Sequence, residues 1–222
     1  MPPTHLDLKA EITVHPVSVA ILAGGQSDRF KPSKALTFVA GKPLFLHVVD
    51  ACEFYANEVF VVVHSESDRE LFAEHFPKED IITDVSSDIR CPLIGALTAF
   101  QHAKNPYTQL LPCDSPLIHD MFFEIMWGMV ENHHAAVPRW PNGWVEPLHS
   151  IYATEIAQDV AFKCLEEQHP RMQCLIGNIG RVIYLSTNAL ARFDTKLLTF
   201  TNVNTPTDLH RIEQSLRKPR RH

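Results

Sequence analysis

Val19-Ala20-Ile21-Leu22-Ala23-Gly24-Gly25-Gln26-Ser27-Asp28-Arg29-Phe30, with Lys34 close behind, is the stretch from which the rest of the chain can be read. Its apolar, partly β-branched start predicts a buried parallel strand. The glycine pair that follows lets the backbone turn sharply with its amides uncovered. Amides pointing into such a loop attract anions, and Arg29 and Lys34 add two fixed positive charges, which suits a polyphosphate. The spacing is neither G-x-G-x-x-G nor G-x-x-x-x-G-K-[ST], so neither a dinucleotide fingerprint nor a P-loop is indicated. A plain tight turn between strand and helix is the other reading of two glycines here. The nearby cations favour a phosphate cradle.

Composition narrows the field. A chain of 222 residues, 45% hydrophobic and 21% charged, is long enough for one sizeable α/β domain with a full core. A formal net charge of -6 argues against a general nucleic-acid binder, which needs a basic field. The five cysteines, Cys52, Cys91, Cys113, Cys164 and Cys174, are scattered without a C-x-x-C pair, so free thiols in a reducing compartment are expected. No apolar run reaches the roughly 18 residues of a membrane span, and the N-terminus lacks a signal pattern, so a cytoplasmic protein without membrane contact is expected. The 13 histidines are spread along the chain, and His133-His134 is not an i, i+4 pair, so they read as surface residues rather than metal ligands.

Taken in order, the chain predicts an N-terminal extension over 1–16, a domain over 17–215 and a basic tail over 216–222. Pro43 reads as the first-turn residue of a helix running to about Tyr55. Residues 58–64 and 81–84 read as strands, with Asp84 at a carboxyl end where open parallel sheets place ligand contacts. A helix begins at Pro92, and a strand from Gln109 ends at Asp114. That carboxylate suits Mg²⁺, which prefers hard oxygen ligands; equally, it could cap a helix starting near Pro116. Helices over about 120–131 and 154–167 and strands over 135–138, 148–152 and 182–185 follow. Thr205 reads as the cap of a last helix whose first residue is Pro206, and Asn202 as a tie between irregular backbone and neighbouring strands. Repeats are absent, and strand-helix alternation predicts a single three-layer α/β/α domain with a mostly parallel, Rossmann-like sheet.

Four stretches together resemble the molybdenum cofactor guanylyltransferases, members of the nucleotidyltransferase superfamily with the nucleotide-diphospho-sugar transferase-like fold. They are L-A-G-G-x-S-x-R-F with Lys34; Asp84 and Asp88 followed by Pro92-Leu93-Ile94-Gly95; Pro112-Cys113-Asp114-Ser115-Pro116; and Phe200-Thr201-Asn202-Val203-Asn204-Thr205-Pro206. The resemblance spans about residues 17–215. It implies transfer of GMP from GTP to the terminal phosphate of molybdopterin carrying molybdenum, with Mg²⁺, releasing pyrophosphate. It also implies transient contact with molybdenum-insertion or molybdoenzyme maturation proteins.

On this resemblance Gly24, Gly25, Arg29 and Lys34 hold phosphates, and Asp114 holds the metal. Arg29, Lys34 and Asp114 are the catalytic candidates. Leu22, Ala23, Asp84 and His64 lie on the nucleoside side, and Asn204 could reach the cofactor substrate. Trp140 and Trp144 could stack a pterin or pin a hairpin, the second being favoured, and Arg171 could meet acceptor phosphate or be a solvated charge. Departures are Lys31 and Cys91 where the family usually has glycine, and His64 where it often has asparagine. The rivals are a transferase using CTP or another phosphorylated acceptor, and a non-catalytic nucleotide-binding or cofactor-binding partner.

Overall fold

The computed structural model describes residues 14–24, 34–85 and 90–216. The expected N-terminal extension and basic tail fall almost wholly outside them. So do Gly25, Arg29, Lys31 and Asp88.

Strand β1 (His15–Leu22) runs into the glycine loop, and a 3-10 turn over Lys34–Leu36 leads to a small hairpin, β2 (Phe38–Val39) with β3 (Lys42–Pro43). Helix α1 (Leu44–Cys52) follows, then β4 (Ala56–Val63), α2 (Glu66–Phe72), β5 (Ile81–Thr83), α3 (Pro92–His102) and β6 (Tyr107–Pro112). The second half holds α4 (Asp120–Val130), β7 (Ala135–Arg139), β8 (Ile151–Ala153), α5 (Thr154–Glu166), α6 (Met172–Asn178), β9 (Val182–Ser186), the short α7 (Thr187–Leu190) and α8 (Pro206–Leu216).

Seven strands form one sheet in the order β5-β4-β1-β6-β8-β7-β9. Among them only β8 runs against the others: it pairs antiparallel with β6 and β7, while the remaining ladders are parallel. Alternation along the strands separates two apolar layers. Val19, Ile21, Val61 and Val63 face one side with Phe45 and Val48 of α1 and Phe122 and Met126 of α4. Ala20, Phe60 and Val62 face the other with Leu93 and Phe100 of α3, Ala157 and Ala161 of α5 and Leu175 of α6. Helices thus cover both faces of the sheet, as a mostly parallel sheet requires.

The order places β1 centrally. The chain goes from β1 outward to β4 and β5, then returns through α3 to β6 on the far side of β1. That reversal is a topological switch point, where a crevice opens beyond the carboxyl ends of the strands. Leu22 pairs with both Val62 and Pro112, so the loops after β1, β4 and β6 emerge at one level.

Several local expectations change. Pro43 is the cap residue of α1 in an extended conformation, and the helix stops at Cys52. Residues 147–149 form a 3-10 turn, so β8 is shorter than expected and begins at Ile151. Cys164 and Cys174 are joined by a disulfide between α5 and α6, which corrects the expectation of five free thiols; Cys52, Cys91 and Cys113 are free. Spacing alone could not reveal a pair formed by two helices folding against each other. Among the described residues no helix is long and apolar enough to cross a membrane.

Candidate nucleotide site

Beyond the strand ends lies a cavity of about 390 Å³. Its walls include Leu22, Ala23 and Gly24 at the end of β1, Lys34, Asp84 after β5, Cys91 and Gly95 of the α3 start, Asp114 after β6, and Asn202. Backbone bonds set these loops. Ala23 N–H donates to Val62 O at 2.8 Å, Cys113 N–H to Leu22 O at 3.2 Å and Asp84 N–H to Val63 O at 2.9 Å.

At one end the Lys34 ammonium donates to Asp114 Oδ2 at 2.6 Å and to Asn204 Oδ1 at 2.9 Å. Val203 N–H donates to Asp114 O at 3.0 Å, so the 201–205 segment lies alongside the β6 end. Behind this contact Ser115 Oγ donates to Asn202 Oδ1 at 2.6 Å, and His149 Nε2 lies 3.2 Å from the same hydroxyl. His149 is buried, and that burial pushes its imidazole down to about 3, so the ring is neutral. Glu146 accepts from Trp140 Nε1 at 2.7 Å, and partial burial raises its carboxyl. The Trp140 ring meets Phe200 edge-on. Trp140 therefore pins the hairpin, the reading favoured from sequence, whereas Trp144 is exposed.

At the other end the side chains of Asp84 and His64 are both buried, with Nδ1 3.5 Å from Oδ2. Thr98 Oγ1 lies 3.4 Å from Asp84 Oδ1. Burial raises the Asp84 carboxyl, while His64 and Thr98 pull it back. A Cβ on Gly24 would stand 3.3 Å from Asp84 Oδ2, closer than ordinary van der Waals contact, so a side chain here would press on the Asp84 carboxylate.

Of the residues expected at the site, Leu22, Ala23, Gly24, Lys34, Asp84 and Asp114 line one cavity. Asn204 reaches it by gripping Lys34, and His64 stands behind Asp84 rather than on the wall. Gly25 and Arg29 lie outside the described residues. Asp114 does not cap the helix that follows it: α4 begins at Asp120, with His119 as its cap. Arg171 is exposed at the α6 start and is not on the cavity wall. Arg90, which the sequence reading left without a role, does line it, as does Leu148. A cation directly before the Cys91-Pro92 helix start was the available signal for Arg90.

Among the described residues no three His, Cys, Asp or Glu groups converge as a metal cage. One carboxylate beside Lys34 and the Gly24 backbone is nevertheless a fitting donor for a hard divalent ion that takes its other ligands from a substrate's phosphates and water.

Gly24, Lys34 and Asp114 line one cavity at the switch point of an α/β sheet, where such folds bind their ligands, and a family match makes this an α/β protein of the nucleotidyltransferase class. Residues 19–181 match the model of the MobA-like NTP transferase domain, and the chain belongs to that family. Two relatives, from Pyrococcus horikoshii and Natronomonas pharaonis, are each named "Probable molybdenum cofactor guanylyltransferase". The first is 30% identical, over 87% of this chain and 97% of its own length; the second is 28% identical, over 88% and 96%. The fold matches that of molybdopterin-guanine dinucleotide biosynthesis protein A from Archaeoglobus fulgidus with a TM-score of 0.75 at 24% identity, covering 90% of this chain and 98% of that one. It also matches 2-C-methyl-D-erythritol 4-phosphate cytidylyltransferase from Thermus thermophilus, with a TM-score of 0.65 at 18% identity over 91% and 99%.

Proposed function

We propose that this chain transfers GMP from GTP to the terminal phosphate of molybdenum-bearing molybdopterin, giving the guanine dinucleotide cofactor and pyrophosphate. Family membership supports the reaction class, and the names of the relatives support guanine and the molybdopterin acceptor. The observation that carries the reading is the meeting of Lys34, Asp114 and Asn204 at the cavity.

An acceptor phosphate oxygen is already an anion, so the reaction needs no strong general base. Its barrier lies in bringing two anions together and in the charge that develops on pyrophosphate. In this reading the Gly24 and Gly25 amides, Arg29 and Lys34 hold the triphosphate. Leu22, Ala23 and Asp84 read the nucleoside, with His64 lying beside Asp84 off the cavity wall. Asp114 is the carboxylate for Mg²⁺, which when bound neutralises phosphate charge. Asn204 orients the Lys34 ammonium, and Asn202, tied to Ser115, lines the same cavity. The compartment that goes with GTP as donor is the cytoplasm, and the domain assigned to the activity is 17–215.

The test is pyrophosphate release when GTP, Mg²⁺ and molybdopterin are supplied together. Release that needs all three supports the reading, and none under any nucleotide removes it. Cys91 lies on the cavity wall in place of a glycine, which favours running CTP alongside; faster release with CTP would transfer the assignment to a cytidylyltransferase.

A further inference from the structure

The carboxylate assigned to the metal already has a cation. Lys34 Nζ sits 2.6 Å from Asp114 Oδ2, and the two side chains are only 13% and 19% exposed. A charge-assisted bond this short and shielded is much stronger than a loose surface ion pair. Asn204 Oδ1 takes a second ammonium hydrogen at 2.9 Å. Its backbone is held in turn, since Asn204 N–H donates to Asp208 Oδ2 at 3.1 Å and Val203 N–H donates to Asp114 O at 3.0 Å. The clasp on the ammonium therefore comes from a segment fixed at both ends.

A divalent ion approaching Asp114 alone must either displace this ammonium from Oδ2 or bind the carboxylate directly beside a like charge, in both cases while shedding water it releases reluctantly. A triphosphate changes the balance, because its oxygens offer the ammonium another partner and the flexible lysine stem can swing to reach them. We propose that Lys34 is a placeholder on Asp114, so that the divalent ion enters with the triphosphate and not before it, and that Asn204 is the positioning residue that keeps the ammonium in place. This rests on the reading of Asp114 as the metal carboxylate.

The consequence is a change of sign. Removing Lys34 should improve metal binding without nucleotide and weaken it with nucleotide. A lysine that served only phosphate binding or packing would not produce the first effect. The experiment follows free Mn²⁺ by electron paramagnetic resonance for the full chain and its Lys34→Met, Asn204→Ala and Asp114→Asn variants and the Lys34→Met/Asp114→Asn double variant. Each is measured with and without a non-hydrolysable GTP analogue, after a thermal melt establishes folding.

Without nucleotide, Lys34→Met should bind Mn²⁺ about tenfold or more tightly than the unaltered chain, and the double variant should lose that gain. Asn204→Ala, which keeps the ammonium, should move the same way by about two- to fivefold, and it serves alone if Lys34→Met does not fold. Unchanged Mn²⁺ affinity in the folded variants overturns the placeholder role. If Asp114→Asn then still abolishes nucleotide-dependent uptake, the metal reading stands by itself. If Asp114→Asn leaves that uptake intact, both ideas fall.

Discussion

Lys34 and Asp114 are 80 positions apart in the chain, and their contact shows how far single side chains carry this site. In the proposed reaction Lys34, and the divalent ion that Asp114 would hold, stabilise the negative charge that develops on pyrophosphate. Lys34→Ala and Asp114→Ala should therefore each lower turnover by roughly 10²–10³, measured as pyrophosphate release. Near-normal turnover in both would remove them from the chemistry. His149 makes a different prediction, about stability. Its imidazole is pushed from an ordinary 6.5 down to about 3 in the folded chain. Below pH 6.5 the unfolded chain takes up a proton that the folded chain refuses. Stability should then fall by up to about 1.4 kcal/mol per pH unit as pH drops toward 3, and be unaffected by this group above 6.5. Urea midpoints across that range should show a shallower acid decline for His149→Gln. At this scale the sequence was uneven as a guide. Lys34, Asp84 and Asp114 stood beside strand ends or the glycine loop and could be singled out. His149 and Ser115 could not, because a buried polar contact between separate segments leaves no periodic trace.

Among the elements, the strands were the most legible, since unbroken apolar runs such as Val59-Phe60-Val61-Val62-Val63 suit a sheet buried on both faces. One cap was legible too: Thr205 and Asp208 exchange bonds across the first turn of α8, with Thr205 N–H donating to Asp208 Oδ2 at 2.9 Å and Asp208 N–H to Thr205 Oγ1 at 3.2 Å. Pairing direction was not, and β8 is antiparallel because the Trp140–Glu146 turn reverses the chain before it. The Cys164–Cys174 bond belongs to this scale as well, closing a separation of 10 residues between α5 and α6. On loop-closure grounds it contributes about 2–3 kcal/mol. Cys174→Ser should lower the melting midpoint by about 5–10 °C, and reducing the unaltered chain should have the same effect. An unchanged midpoint under both treatments would show that the two helices hold together without it.

For the whole molecule, the order β5-β4-β1-β6 turns separate motifs into one cavity, because it sets the ends of β1 and β6 side by side. A nucleotide bound there touches several loops at once and should stabilise the entire fold. With Mg²⁺ and GTP at about 100 times its dissociation constant, the gain is about 2.7 kcal/mol, or about 5–10 °C for a chain of this size. CTP, ATP and UTP at the same concentration should shift the midpoint less; equal shifts from all four would remove guanine selectivity from the assignment. By itself the sequence determined the alternation of strands and helices, the glycine loop and the carboxylates at strand ends, since each is encoded by residues within a few positions of one another. Only the tertiary structure decided that Lys34 meets Asp114 and also Asn204, 170 positions away, that His64 stands behind Asp84, and that two cysteines are bonded. Those partnerships arise from crossovers and packing, and such long-range geometry is written in no short segment of the chain.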